Sequence, residues 1–145
     1  MITDQPKLTI VGAGPGEIDL ITVKGTKALR NAKVVLYDSH VNETILLEYA
    51  PTAIKLLVGK RRNRKALCQE DINELIIEYA ETYGHVVRLK NGGPESAATD
   101  IEELQYAQSR GLLIEYVQGV SGLPTSVSSK IVQHAAHNFI PSTSN

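Results

Sequence analysis

The run Leu8-Thr9-Ile10-Val11, broken at once by Gly12-Ala13-Gly14-Pro15-Gly16-Glu17, decides how the rest of the chain is read. It is short, apolar and rich in β-branched residues, as a strand covered on both faces must be, and it ends on a glycine-rich loop. Four runs of the same kind follow: Val34-Val35-Leu36-Tyr37, Ile54-Lys55-Leu56-Leu57-Val58, Val86-Val87-Arg88-Leu89 and Leu112-Leu113-Ile114-Glu115-Tyr116-Val117. Between them lie segments with helical spacing. The clearest places Ile72, Leu75, Ile76, Tyr79, Ala80 and Tyr83 on one face ahead of a capping Gly84. Thr99 with Glu102 three residues on reads as a capping box for a helix that buries Ile101, Leu104 and Ala107 and ends at Gly111. Thr22 to Ala32, containing the helix-weakening Gly25, and Asn42 to Ala50, closed by Pro51, complete the set. This alternation predicts an α/β fold: an open five-stranded parallel sheet with helices on both faces and right-handed crossovers. A further helix is expected over Val127 to His137.

The 145 residues carry 15 Lys and Arg against 16 Asp and Glu and are 42% apolar, the make-up of one soluble globular domain. A net charge of −1 gives no general affinity for nucleic acid. No stretch approaches the roughly 18 apolar residues of a membrane span, and Met1 to Lys7 lacks a signal peptide's apolar core. The single Cys68 can form neither an internal disulfide nor a cysteine-based zinc site, so a reducing cytoplasm is expected and the thiol is read as a packing residue. His134 and His137 lack a third ligand, and no metal site is expected.

Ligands of parallel sheets bind beyond the carboxyl ends of the strands, so the loops there carry the functional reading. Glycines at 12, 14 and 16, with Asp38 ending the second strand, invite a dinucleotide site. The spacing resists it, because position 17 is Glu, Pro15 intrudes, and the next clear helix begins only near Thr22. The glycines then serve either the turn itself or an uncharged, close-approach wall for a small ligand. Lys60-Arg61-Arg62-Asn63-Arg64-Lys65 has five basic residues in six. It can be a solvated surface, a grip for nucleic-acid phosphates or a pyrophosphate, or a partner for a ligand with several carboxylates, which arginine meets through a bidentate fork.

Five strings, in order and nearly without gaps from Lys7 to Lys90, carry a resemblance: Val11-Gly12-Ala13-Gly14-Pro15-Gly16, Asp19-Leu20-Ile21-Thr22, Val34-Val35-Leu36-Tyr37-Asp38, Val58-Gly59-Lys60-Arg61 and Val87-Arg88-Leu89-Lys90. They resemble the N-terminal domain of the uroporphyrinogen-III C-methyltransferases, in the tetrapyrrole methylase family. The resemblance implies a cytoplasmic, homodimeric, two-domain enzyme that uses S-adenosylmethionine to methylate pyrrole carbons of a tetrapyrrole substrate in siroheme and cobalamin synthesis. The cofactor lies folded in the cleft between the domains, and neither nucleic acid nor membrane is a partner. By the same resemblance Asp38 is the proton acceptor and Lys60 the proton donor, while Pro15, Asn91, Gly92, Gly93, Ser121 and Gly122 face the cofactor. The chemistry is compatible: transfer from a sulfonium to carbon is an in-line displacement governed by positioning, and an acid and a base at neighbouring strand ends can reach one substrate.

Past Lys90 the match thins. Where the family has Gly-Gly-Asp-Pro, with aromatics and an arginine following, this chain has Asn91-Gly92-Gly93-Pro94 and then Glu95-Ser96-Ala97-Ala98-Thr99. The aspartate is replaced by Gly93, and the family's Pro-Gly-Val-Thr-Ser becomes Gln118-Gly119-Val120-Ser121-Gly122. Residues 1–145 are read as a single domain, with the family's second domain absent and the cofactor cleft open on one side. Weak or absent methyltransferase activity is therefore expected of this chain alone. The alternatives are a non-catalytic relative acting as a binding or interaction module and, further off, a nicotinamide- or flavin-binding module.

Overall fold

In a computed structural model that describes residues 5–14, 21–59, 65, 67–91 and 96–119, strand and helix alternate as the apolar runs require. The elements are β1 (Lys7–Gly12), α1 (Val23–Asn31), β2 (Val34–Tyr37), α2 (Glu43–Tyr49), β3 (Ile54–Leu57), α3 (Gln69–Tyr83), β4 (His85–Lys90), α4 (Ala97–Ser109) and β5 (Leu113–Val117). Every pairing is parallel and the strand order is β3-β2-β4-β1-β5. The chain steps one way across the sheet from β1 through β2 to β3 and the other way from β3 through β4 to β5. Crossovers of one hand then put α1 and α2 on one face and α3 and α4 on the other.

The two apolar layers follow that division. Leu8, Ile10, Val34, Leu36 and Val86 pack against Ile72, Ile76 and Ile77 of α3 and Leu104 and Ala107 of α4. Val11, Val35, Val87 and Leu89 pack against Ala28 and Leu29 of α1 and Ile45 and Leu46 of α2. Because side chains alternate along a strand, Arg88 and Lys90 of the central β4 fall on the α3/α4 side, each only 3% exposed.

Local chemistry explains the helix ends. The Thr22 hydroxyl accepts the Gly25 amide at 3.0 Å to start α1, and Asn42 Oδ1 accepts the Thr44 amide at 3.0 Å to start α2. Gly84, at φ 109°, closes α3. Gly25, costly by helix propensity, has a packing reason: a Cβ there would stand 3.1 Å from Ile21 Cγ1 and 3.2 Å from Val11 Cγ1, so the glycine lets α1 lie close to β1. Two expectations are corrected. Thr99 and Glu102 form no capping box, since α4 begins earlier with Ser96 as its cap; the Thr99 hydroxyl donates to the Ser96 carbonyl and Glu102 accepts from Asn73 of α3. Cys68 is not a packing residue but the exposed N-cap of α3. The expected helix over 127–137, with His134 and His137, lies outside the described residues.

At the amino ends of the strands, His85 Nδ1 lies 3.3 Å from the Asn31 carbonyl oxygen and Nε2 lies 2.8 Å from the Thr9 hydroxyl. Burial first, and then the Lys7 ammonium, push the His85 imidazole below its ordinary value of 6.5, against the Asn31 carbonyl and the Glu115 carboxylate. A histidine lowered in the fold binds fewer protons folded than unfolded, so its contribution is complete above 6.5 and is lost as pH falls through the folded value. Urea titrations at several pH values between neutrality and mild acid should show the midpoint falling with pH more steeply in the parent chain than in His85→Gln; equal slopes contradict the assignment.

Candidate functional site

The neighbouring central strands β1 and β4 send their chains to opposite faces of the sheet, which opens a crevice beyond their carboxyl ends. Its walls are loops fastened to one another through backbone. The Ala13 amide donates to the Lys90 carbonyl at 2.6 Å and the Asp38 amide to the Leu89 carbonyl at 3.3 Å. A Cβ on Gly12 would stand 2.8 Å from the Gly119 amide nitrogen, so the loops after β1 and β5 touch main chain to main chain. A Cβ on Gly59 would stand 2.7 Å from the Ser39 nitrogen, which sets the loop after β3 against the segment carrying Asp38. Gly12 and Gly59 are thus used for loop-to-loop approach, the structural use of glycine, and Gly14 takes a left-handed φ of 75°.

Beneath the crevice lies a cluster of charges. Arg88 Nη1 is 2.9 Å from Asp38 Oδ1 and Arg88 Nε is 3.3 Å from Glu103 Oε2. Lys90 Nζ is 2.6 Å from Asp100 Oδ1 and 3.0 Å from Glu103 Oε1. Gln69 Nε2, in the first turn of α3, also donates to Glu103 Oε2, at 2.8 Å. Asp100 and Glu103 are each 1% exposed, whereas the Asp38 side chain remains 34% exposed. Burial works against the Arg88 charge, but Glu103 and Asp38 outweigh it and hold the guanidinium above its ordinary value. Burial pushes the Asp100 carboxyl up, against the pull of Lys90. On β5 beside it, burial and then the Asp100 charge push the Tyr116 phenol up to about 12.

Of the residues expected to act, Asp38 and Asn91 stand at the ends of the adjacent strands β2 and β4. Asn91 is half-buried, and its Oδ1 is wholly buried without a hydrogen-bond partner among the described residues. Such an acceptor is costly unless a donor reaches it, so this orphan fits a ligand bearing an amine or amide N–H. Lys60, Pro15, Gly92, Gly93, Ser121 and Gly122 lie outside the described residues, as do residues 61–64 of the basic loop. Among the described residues the cation paired with Asp38 is Arg88, which sequence reasoning passed over. The signal was present: two charges two residues apart, in a strand otherwise apolar on both faces, cannot reach water and require buried counter-charges. Among the described residues no group of His, Cys, Asp and Glu is arranged to hold a metal ion, and no helix is long and apolar enough to cross a membrane.

Residues 7–139 match the family described as Tetrapyrrole (Corrin/Porphyrin) Methylases. A siroheme synthase of Photorhabdus laumondii subsp. laumondii is 41% identical over 117 residues, covering 81% of this chain and 25% of that protein. A uroporphyrinogen-III C-methyltransferase of Cyanidium caldarium is 41% identical over 115 residues, 79% of this chain and 46% of that one. The crystal structure of a uroporphyrin-III C-methyltransferase from Thermus thermophilus, complexed with S-adenosylhomocysteine, superposes with a TM-score of 0.64 at 37% identity over 79% of this chain and 45% of that one. The chain therefore spans from a quarter to about half the length of these relatives.

Two stability measurements check the geometry. Gly12→Ala, which forces a Cβ against main chain, should cost about 1–3 kcal/mol in urea unfolding; a neutral result contradicts the loop contact. Glu103→Ala, which leaves Arg88 and Lys90 short of a buried counter-charge, should cost about 3–5 kcal/mol, and a loss no larger than that of a surface substitution contradicts the ion cluster.

Proposed function

Because the chain belongs to the tetrapyrrole methylase family, we propose that it forms the proton-handling and cofactor-binding wall of a C-methyltransferase acting on uroporphyrinogen III in siroheme or cobalamin synthesis. The observation that carries this reading is that a braced and partly exposed Asp38 and a buried Asn91 Oδ1, unpartnered among the described residues, follow the carboxyl ends of the adjacent strands β2 and β4. S-adenosylmethionine, when bound, supplies an activated methyl group to a nucleophilic pyrrole carbon. Asn91 accepts a hydrogen bond from that ligand, and Pro15, Gly92, Gly93, Ser121 and Gly122 line its site. The methylated pyrrole must lose its N–H proton, which the Asp38 carboxylate takes; Lys60, following the Gly59 that packs beside Asp38 and Ser39, is the proton donor. Arginines 61, 62 and 64 face the acetate and propionate groups of the substrate. A second wall, from a further domain or a partner chain of a cytoplasmic homodimer, covers the cofactor, since an open cleft loses the burial that small-ligand pockets use.

Gly93, standing where the family has aspartate, favours a second reading, a tetrapyrrole-binding or interaction module without transfer activity. The missing carboxylate removes a charged hydrogen bond typically worth about 1.5–3 kcal/mol. Calorimetry separates the two. Titration with S-adenosylhomocysteine should release heat while NADH does not, and Asp38→Asn should keep that binding but lose methyl transfer to uroporphyrinogen III. A folded chain silent towards S-adenosylhomocysteine contradicts the methyltransferase reading and leaves the module.

A further inference from the structure

Among the described residues of the ion cluster, Asp38 is the carboxylate that stays partly exposed, and how it is held follows a pattern of its own. The Arg88 side chain, 4% exposed, cannot touch a substrate, yet three groups fix its guanidinium. Nη1 lies 2.9 Å from Asp38 Oδ1 and 3.4 Å from the Leu36 carbonyl, on the same strand that presents Asp38. Nε lies 3.3 Å from Glu103 Oε2. Glu103 is in turn immobilised, with Gln69 Nε2 at 2.8 Å and Lys90 Nζ at 3.0 Å. A rigid line thus runs from the first turn of α3 through α4 and β4 to one oxygen of Asp38. A planar guanidinium can face a carboxylate on each side at once, whereas an ammonium on the same strand has no fork with which to do so.

We propose that Arg88 is a positioning residue for Asp38: braced from below by Glu103, it fixes the carboxylate in the orientation in which it accepts the substrate proton. The proposal rests on the reading of Asp38 as that acceptor. Misplacing a reacting group by about 1 Å costs on the order of 100-fold in rate without any need to weaken binding. The effect of losing Arg88 should therefore fall on kcat, while KM and the affinity for S-adenosylhomocysteine stay near those of the parent.

The test compares the full chain with Asp38→Asn, Arg88→Lys, Arg88→Lys combined with Asp38→Asn, and the double variant Arg88→Met with Glu103→Met. The last removes a buried pair together and leaves the Lys90–Asp100 contact, a change the fold tolerates better than one orphaned charge. Methyl transfer from S-adenosylmethionine to uroporphyrinogen III, S-adenosylhomocysteine binding and urea unfolding are measured for each. Arg88→Lys and the Met double variant should each lose roughly 10- to 100-fold in kcat with KM and binding little changed. Arg88→Lys should add nothing to the loss already caused by Asp38→Asn, as expected of two groups acting as one unit. Parent-like kcat in either folded Arg88 variant, or a full additional loss on top of Asp38→Asn, overturns the proposal. Parent-like kcat in Asp38→Asn instead sinks the reading of Asp38 on which it stands.

Discussion

Two cations on the central strand of a sheet buried on both faces are the constraint around which the carboxyl end of this fold is arranged. Arg88 and Lys90 cannot be solvated where β4 lies, and an unpaired charge in that position costs several kcal/mol even after relaxation. Asp100 and Glu103 of α4 supply buried counter-charges, and Asp38 supplies a third that is partly open to solvent. Helix α4 is therefore docked not by apolar contact alone but by carboxylates that must meet cations at hydrogen-bonding distance. Glutamine and asparagine side chains of α3 complete the same network, so both helices on that face are tied to one register against β4.

This arrangement links the interior to the crevice. Leu104 and Ala107 bury the helix against the sheet, while Asp100 and Glu103 set its position along β4. The same strand then ends in Lys90, whose carbonyl ties down the first loop, and is followed by Asn91, whose buried Oδ1 has no donor among the described residues. Among the described residues, three carboxylates against two cations give the cluster an excess of negative charge, while burial first, and only then neighbouring carboxylates, pushes up the Asp100 carboxyl and the Tyr116 phenol. An electron-rich floor of this kind suits a cationic or N–H-bearing ligand at the strand ends better than a pyrophosphate, in keeping with the absence of a dinucleotide spacing among the glycines.

Much of the fold could be read from the chain because its strands are buried on both faces and so declare themselves as continuous apolar runs. The Val34–Tyr37 strand and the Gly84 cap were expected in place, and Thr22 and Asn42 bound their helices as expected. The capping box failed because Thr99 and Glu102 satisfy the local spacing but not the tertiary demand: α4 is placed by Asp100 and Glu103, and Glu102 is taken by Asn73. The strand order was not expressed in the sequence, since each strand is apolar in much the same way. At the site, the resemblance pointed to Asp38 and Asn91. Arg88, which pairs with Asp38, lies on β4, fifty residues along the chain, where pairing across a parallel sheet is invisible to local spacing. Gly12, open to a ligand-facing reading in the sequence, serves with Gly59 the close approach of one loop to another.

The claim that Arg88 is locked between Glu103 and Asp38 is tested most directly by nuclear magnetic resonance of the arginine side chains. The account predicts that the Arg88 Nε–H signal is resolved and exchanges with solvent far more slowly than those of the exposed Arg30 and Arg110. It also predicts that the signal shifts on Asp38→Asn although the fold is retained. An Arg88 signal that exchanges as fast as those two, or that ignores the change at Asp38, would contradict it.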